Sequence, residues 1–299
     1  MRALVVRPDE PSGLALLDVP EPVPAREEVL VDVTHISLNL GEVNAARSAA
    51  TGSDTPHGWD AVGVVAAAAA DGTGPAVGTR VVTFGYGGAW AQRRAVPVTE
   101  LAEVPAGVHP AAAAAIPTAG VTALRALRAA GSLLGRRVLV TGASGGVGRF
   151  AVQLAARAGA YVIAASARTE GLTALGAHEV VTDLAGAGPL DVVLDNVGGP
   201  QLVQAWQLTV PGGNVQCVGG SSGQPATFPP YGTVGPAKSL TSFQVGVGFG
   251  ADLAYLADLL ARGELTVDLG WQGSWNEVDA ASTALVNRQV TGKAVLTVD

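Results

Sequence analysis

The chain has one cysteine, Cys217, in 299 residues. A single thiol excludes an intrachain disulfide and a zinc site built on several thiolates. Charged residues make up only 14% of the chain and sum to a net charge of −7, with no run of Lys or Arg long enough to follow a phosphate backbone. No nucleic-acid partner is expected. Long apolar runs are missing too: the longest, Ala61 to Ala70, is about half of the roughly 20 residues a membrane-spanning helix needs. No membrane partner is expected, and because the N-terminal MRALVVRPDE reads as a strand rather than a signal peptide, a cytoplasmic location is.

What is present is mostly apolar, 48% of the residues, over a length that suits two cores, or one domain split by an insertion. The first third alternates short β-type runs (RALVV, EEVLVDVTHI, AVGVVAA, RVVTF, AQRRAV) with Gly and Pro punctuation, as a compact β domain does. From Pro110 helix formers dominate, and then apolar strands and helices take turns: RVLVTGA, RFAVQLAARAG, YVIAASA, EVVTD, DVVLDNV, QLVQAWQLTV, GNVQCVG. That alternation predicts an α/β fold with a doubly wound parallel sheet. The closing KAVLTV strand is assigned back to the first domain, so the expected division is 1–112 with 264–299 against 113–263.

The most informative stretch is VLVTGASGGVGRFAVQLA, a strand that enters a Gly-rich turn and leaves into a helix. Glycines let the backbone turn tightly and approach a pyrophosphate, and the N–H groups of a helix starting near Val147 carry the positive end of its dipole. Ser144, Gly145, Gly146 and Val147 are therefore candidate cofactor contacts, although Ala143 stands where the usual G-x-G-x-x-G has its first glycine. At the end of the next strand, YVIAASAR, there is no acid to hold a ribose 2′-hydroxyl; Ser166 and Arg168 offer a hydroxyl and a guanidinium to a 2′-phosphate. NADPH is the expected cofactor. One charge-assisted hydrogen bond contributes about 1.5–3 kcal/mol, enough for about ten- to hundredfold discrimination. Glu170 and Asp183 nearby would oppose it if they faced the phosphate.

These motifs, with VPEPVPAREEVLVDVTHISLN, GWDAVGVV, GGAWAQRRAV, IPTAGVTALRAL, LGAHEVV, DVVLDNVGG and GKAVLTV, make the chain similar to zinc-independent medium-chain dehydrogenases/reductases of the quinone oxidoreductase and enoyl reductase group. The resemblance implies a GroES-like β domain joined to a Rossmann domain, with the active site in the cleft between them. It implies that Asn39 stands beside the nicotinamide ribose and Thr122 near the nicotinamide, that Asn196, Val197, Gly219, Phe243 and Val245 line the ring's other side, and that Arg288 approaches from the C-terminal segment. It also implies a homodimer along an edge strand, for which SLTSFQVGVGF is the candidate. Two departures stand out. A tyrosine common shortly after the first Asn is missing, and one common after LGA is replaced by Asp183.

Zinc members of the superfamily polarise an oxygen with Cys and His ligands. Here His57 and Asp60 in HGWD lack a thiolate companion, so no metal is expected. Without a Lewis acid the substrate should already accept hydride, as an α,β-unsaturated carbonyl or a quinone does, with the protein supplying orientation and electrostatics. Trp59, Tyr86, Trp90 and Phe249 are candidate walls of an apolar substrate cleft, core packing being the other reading of the same residues. The proton donor stays open among Asn39, Tyr86, Tyr231 and solvent. The alternative from another class is an NADPH-binding redox sensor or structural protein with little turnover.

Overall fold

The computed structural model describes residues 1–299, which divide into two compact units, 1–121 with 247–299 and 122–246. In the first unit β1 (Arg2–Val6) and β2 (Leu14–Asp18) form an antiparallel hairpin. There follow β3 (Glu28–Leu38), α1 (Leu40–Arg47), β4 (Asp60–Ala67), β5 (Arg80–Phe84), β6 (Arg93–Pro97), β7 (Leu101–Glu103) and α2 (Pro110–Ala114), and α3 (Pro117–Ala129) begins in this unit and ends in the second. Along β3 the alternating pattern of buried and exposed residues matches a strand with one face on a core.

The second unit holds β8 (Arg137–Thr141), α4 (Gly146–Arg157), β9 (Tyr161–Ala165), β10 (Glu179–Val181), β11 (Leu190–Asp195), α5 (Gly199–Leu208), β12 (Thr209–Cys217) and β13 (Ser239–Ser242). Its strands pair in parallel in the order β10-β9-β8-β11-β12-β13. The inner strands β8, β9 and β11, buried on both faces, carry near-continuous apolar runs such as VLV and VVL, as parallel strands must when helices cover each side. The order reverses after β8, and ligands of such sheets bind beyond the strand ends at that switch.

The chain then returns to the first unit with α6 (Gly250–Ala261), β14 (Trp271–Ser274), α7 (Val278–Val286) and β15 (Ala294–Thr297). β15 lies antiparallel on β3 and closes a sheet of order β14-β15-β3-β4-β5-β7, with β6 also on β3. The return comes earlier than the sequence pattern suggests. α6, expected in the second domain, packs on β5 and β7, and the Glu100 carboxylate accepts the N–H groups of Gly248 and Phe249 at its start. A carboxylate satisfying orphan donors at a helix N-terminus is a sufficient local reason for that placement.

Candidate functional site

In the second unit the glycine turn is built to let something approach its backbone. Gly142 has φ +61, and a Cβ at Gly148 would sit 2.4 Å from Gly142 O and 2.6 Å from Ala143 Cα. Only glycine fits there, which lets α4 start directly on the turn. α4 begins at Gly146 with Gly145 as N-cap, so its first-turn N–H groups, those of Gly146, Val147 and Gly148, have no partner within the helix. A diphosphate suits that end.

One strand along, Ser166 Oγ donates to Ser144 Oγ at 2.8 Å, Arg168 N donates to Ser166 Oγ at 3.2 Å, and Arg168 Nη2 lies 3.5 Å from Ser144 Oγ. Ser166 and Arg168, the two residues expected at a 2′-phosphate, therefore form one group with Ser144 of the glycine turn. Asp183 accepts the N–H of Ala185 in its own exposed turn at 2.8 Å. Arg149, on α4, is buried and donates to Glu170 O at 3.3 Å, which ties the loop after Arg168 to the cradle helix.

On the other side of β8, Asn196 donates through its backbone N to Thr141 Oγ1 at 2.9 Å and through Nδ2 to Thr141 O at 2.8 Å. The Thr141 hydroxyl in turn donates to Asp195 at 2.7 Å, and Asp195 accepts the N–H of Gly198 at 2.8 Å. Burial pushes the Asp195 carboxyl above its ordinary value, and these donors pull it back. The network fixes the DNVGG turn. Gly219 N donates to Asp195 O at 3.0 Å, and a Cβ at Gly219 would lie 2.9 Å from Asn196 O, so Gly219 flanks Asn196 at the end of the next strand. Ser166, Ser144, Asn196 and Gly219 thus follow β9, β8, β11 and β12 in sheet order. Phe243 and Val245 come after β13; Val245 O accepts from Arg125 Nη1 at 2.5 Å, one turn along α3 from Thr122, which is buried rather than solvated.

The first unit holds a buried polar group that sequence reading found only in part. Asn39 is the N-cap of α1, and its backbone N donates to Glu42 Oε1 at 2.8 Å. Its Nδ2 donates to Glu42 Oε1 at 2.9 Å and to Asp60 Oδ2 at 2.8 Å. Asp60 also accepts Ser37 Oγ at 2.8 Å, and Thr118 gives it both N–H at 3.0 Å and hydroxyl at 2.5 Å. Lys293, just before β15, donates to Leu38 O at 3.1 Å and to Asn39 Oδ1, and its Nζ is 3.5 Å from Asp60 Oδ2. Burial, then the Asp60 charge, holds the Glu42 carboxyl well above the ordinary range, against the pull of Lys293 and Asn39. Burial lowers Lys293, while Asp60 and Glu42 act the other way. Neither Glu42 nor Lys293 was expected here; the signal that existed was a charged residue set directly against the apolar AVLTV strand.

Trp59 and Tyr86 come together near this group. Their rings meet edge to face at 5.9 Å, and a Cβ on Gly41 of α1 would touch Trp59 Cη2 at 3.2 Å. The Gly85–Gly88 loop that carries Tyr86 is held by Arg94, whose guanidinium donates to Trp59 O, Thr83 Oγ1, Gly85 O and Gly87 O. Burial pushes Arg94 down to about 10, against the Asp60, Glu42 and Glu100 charges. Phe249 is buried, stacked on Phe84 at 4.0 Å. Trp90 corrects the expected cleft wall: it is 0% exposed in the first unit's core, its Nε1 donates to Ser37 O at 3.2 Å, and His57 packs on it edge to face. An aromatic in a Gly- and Ala-rich loop has no periodicity to say which way it faces. Tyr231, 84% exposed in a turn at φ 61, is not brought to the glycine turn by any hydrogen bond or ring contact described above. Arg288, after α7, is also left-handed at φ 59.

His57 and Asp60 have other work than holding a metal. His57 Nε2 lies 3.0 Å from Glu42 O, and Asp60 receives five donors, an ammonium among them. Cys217 ends β12 in the other unit, its thiol pushed up by burial and by Asp195.

A two-unit protein with a dinucleotide-type glycine turn and an antiparallel β unit is of the dehydrogenase/reductase class. Residues 25–106 match the alcohol dehydrogenase GroES-like domain and residues 175–296 the zinc-binding dehydrogenase family. Prostaglandin reductase-3 of Bos taurus is 30% identical over 318 aligned positions, covering 93% of this chain and 83% of that protein. An acryloyl-coenzyme A reductase of Sulfurisphaera tokodaii is 26% identical, over 73% of this chain and 77% of its own. The quinone oxidoreductase of Pseudomonas syringae pv. tomato DC3000 superposes with a TM-score of 0.87 at 26% identity, covering 99% of both chains. The chain belongs to the medium-chain dehydrogenase/reductase family, in its quinone and enoyl reductase group. It is accordingly a nicotinamide-nucleotide-dependent oxidoreductase acting on a small molecule.

Proposed function

We propose that the protein is an NADPH-dependent, zinc-independent reductase of quinones or α,β-unsaturated carbonyl compounds. The observation that carries the cofactor is the Ser144–Ser166–Arg168 group beside the glycine turn, in a place with no acid to claim a ribose 2′-hydroxyl. Gly145, Gly146 and Val147 would seat the diphosphate, with Asn196, Val197, Gly219, Thr122, Phe243 and Val245 toward the nicotinamide and Asn39 and Arg288 as further contacts. Bound there, NADPH supplies a hydride. The chain's part is to hold the acceptor flat and keep water from it, and the Trp59–Tyr86 pair offers an apolar, π-rich surface for a conjugated ring. Tyr86, beside Trp59, carries the phenol that would supply the proton in the first unit.

Zinc independence rests on the donor set: one cysteine, and a His57 and Asp60 engaged by the protein itself. The relatives' printed activities, acryloyl-coenzyme A and prostaglandin reduction on one side and quinone reduction on the other, support a conjugated acceptor without choosing between them. A homodimer would form along β13, the outermost strand of the parallel sheet, where Leu240 is exposed. The test is NADPH consumption with 1,4-benzoquinone and with an acyclic enone. Turnover with either supports the reading; cofactor binding without turnover supports the redox-sensor alternative.

A further inference from the structure

Three formal charges, Glu42, Asp60 and Lys293, meet in the first unit with at most 3% of each exposed, and Lys293 is one of only two lysines in the chain. Replacing such a buried ion cluster by apolar side chains is often neutral or stabilising, so stability alone gives no reason to keep it. Its geometry gives one. The Asn39 amide lies between two oxygens already placed as acceptors, Glu42 Oε1, which also takes the Asn39 backbone N–H, and Asp60 Oδ2, which also takes the Ser37 hydroxyl, and an ammonium, which only donates. Turning the amide over would set its oxygen against Glu42 and Asp60 and its N–H groups against Lys293, so only one orientation satisfies the group. In that orientation both Nδ2 hydrogens are used, and Oδ1 keeps one lone pair.

We infer that Lys293 and Asp60 are positioning residues that lock the Asn39 amide so that it meets a ligand only as a hydrogen-bond acceptor. The ligand group opposite Asn39 is then a donor, such as a sugar hydroxyl, and Asn39 leaves the set of proton donors and oxyanion stabilisers. The functional consequence rests on the reductase reading above. Misplacing such a contact by about 1 Å costs on the order of a hundredfold in rate.

The test has two arms. In side-chain NMR of the wild-type protein, both Asn39 Nδ2 hydrogens should be resolved and protected from exchange; free exchange with solvent overturns the lock. In the second arm, the Lys293→Met/Asp60→Asn double variant, which removes both charges together, is compared with wild type in NADPH oxidation by 1,4-naphthoquinone. It should unfold cooperatively, lose thirtyfold or more in kcat, on the order set by a misplaced contact, and change its KM for NADPH by less than about threefold. Native kcat in a folded double variant overturns the inference. A wild type that oxidises no NADPH fails the reductase reading instead, and the exchange arm still decides the lock.

Discussion

Ser166 donates its hydroxyl to Ser144 across 2.8 Å and joins the end of β9 to the turn that follows β8. With Arg168 bonded to both residues, a guanidinium and a hydroxyl from the loop after β9 form one group with the Ser144 hydroxyl of the glycine turn. Arg168→Ala should raise KM for NADPH about ten- to hundredfold, the worth of one charge-assisted hydrogen bond, and barely change KM for NADH. Steady-state kinetics with each nucleotide checks this, and equal changes would remove Arg168 from the cofactor site.

Gly148→Ala places a methyl 2.4 Å from Gly142 O, a backbone atom that cannot swing aside. The turn or α4 must shift, at a cost of about 1–3 kcal/mol for overpacking. A lowered melting temperature together with lost NADPH affinity is expected. A variant that melts and binds like wild type would mean that the cradle is not as tight as described.

Which parts of this were legible in the sequence follows from how local each signal is. The parallel strands and the glycine turn are written in a few adjacent residues, VLVTGASGGVG, so they could be read directly. The span of α6 could not be assigned to its unit, because Leu and Ala at helical spacing look alike whichever sheet they cover; what decides is Glu100, some 150 positions away along the chain. Lys293 was missed for the same reason, since the partners that bury it, Leu38, Asn39 and Asp60, come from the other end of the chain. Asn39 shows the opposite case: the resemblance singles it out as a ligand contact, and the structure places it at the start of α1 with its amide held by Glu42, Asp60 and Lys293.

Glu42 gives the protein a pH dependence of stated sign. Its folded value is raised, first by burial and then by Asp60, so its contribution to stability is full below the unfolded carboxylate value of about 4.3 and is lost as pH rises through the folded value. Glu42→Gln keeps an oxygen for the two Asn39 donors and cannot ionise. Urea midpoints at mildly acidic and mildly alkaline pH should show the variant gaining on wild type as pH rises. A constant difference would mean that Glu42 does not titrate in this way.

Arg288 holds a left-handed backbone that costs a non-glycine residue about 1–2 kcal/mol. Arg288→Gly, which relieves that backbone, should therefore melt higher than Arg288→Ala, which loses the same side chain and keeps the strain. If the side chain also meets the cofactor, KM for NADPH rises in the same variant; a stable variant with unchanged KM would remove Arg288 from the cofactor site.

Metal removal should do nothing. Dialysis against EDTA is expected to leave turnover unchanged, with elemental analysis finding no stoichiometric zinc, because no thiolate pair exists and His57 and Asp60 are held by Glu42, Thr118 and Lys293. Zinc-dependent recovery after dialysis would contradict this.

The central claim is that the turn after β8 and the loop after β9 form a seat for a nicotinamide dinucleotide carrying a 2′-phosphate. Calorimetric titration of the wild-type protein with NADPH and NADH measures that directly. NADPH should bind at least about tenfold more tightly, as one guanidinium–phosphate contact requires; equal affinity, or no binding of either, would contradict the account.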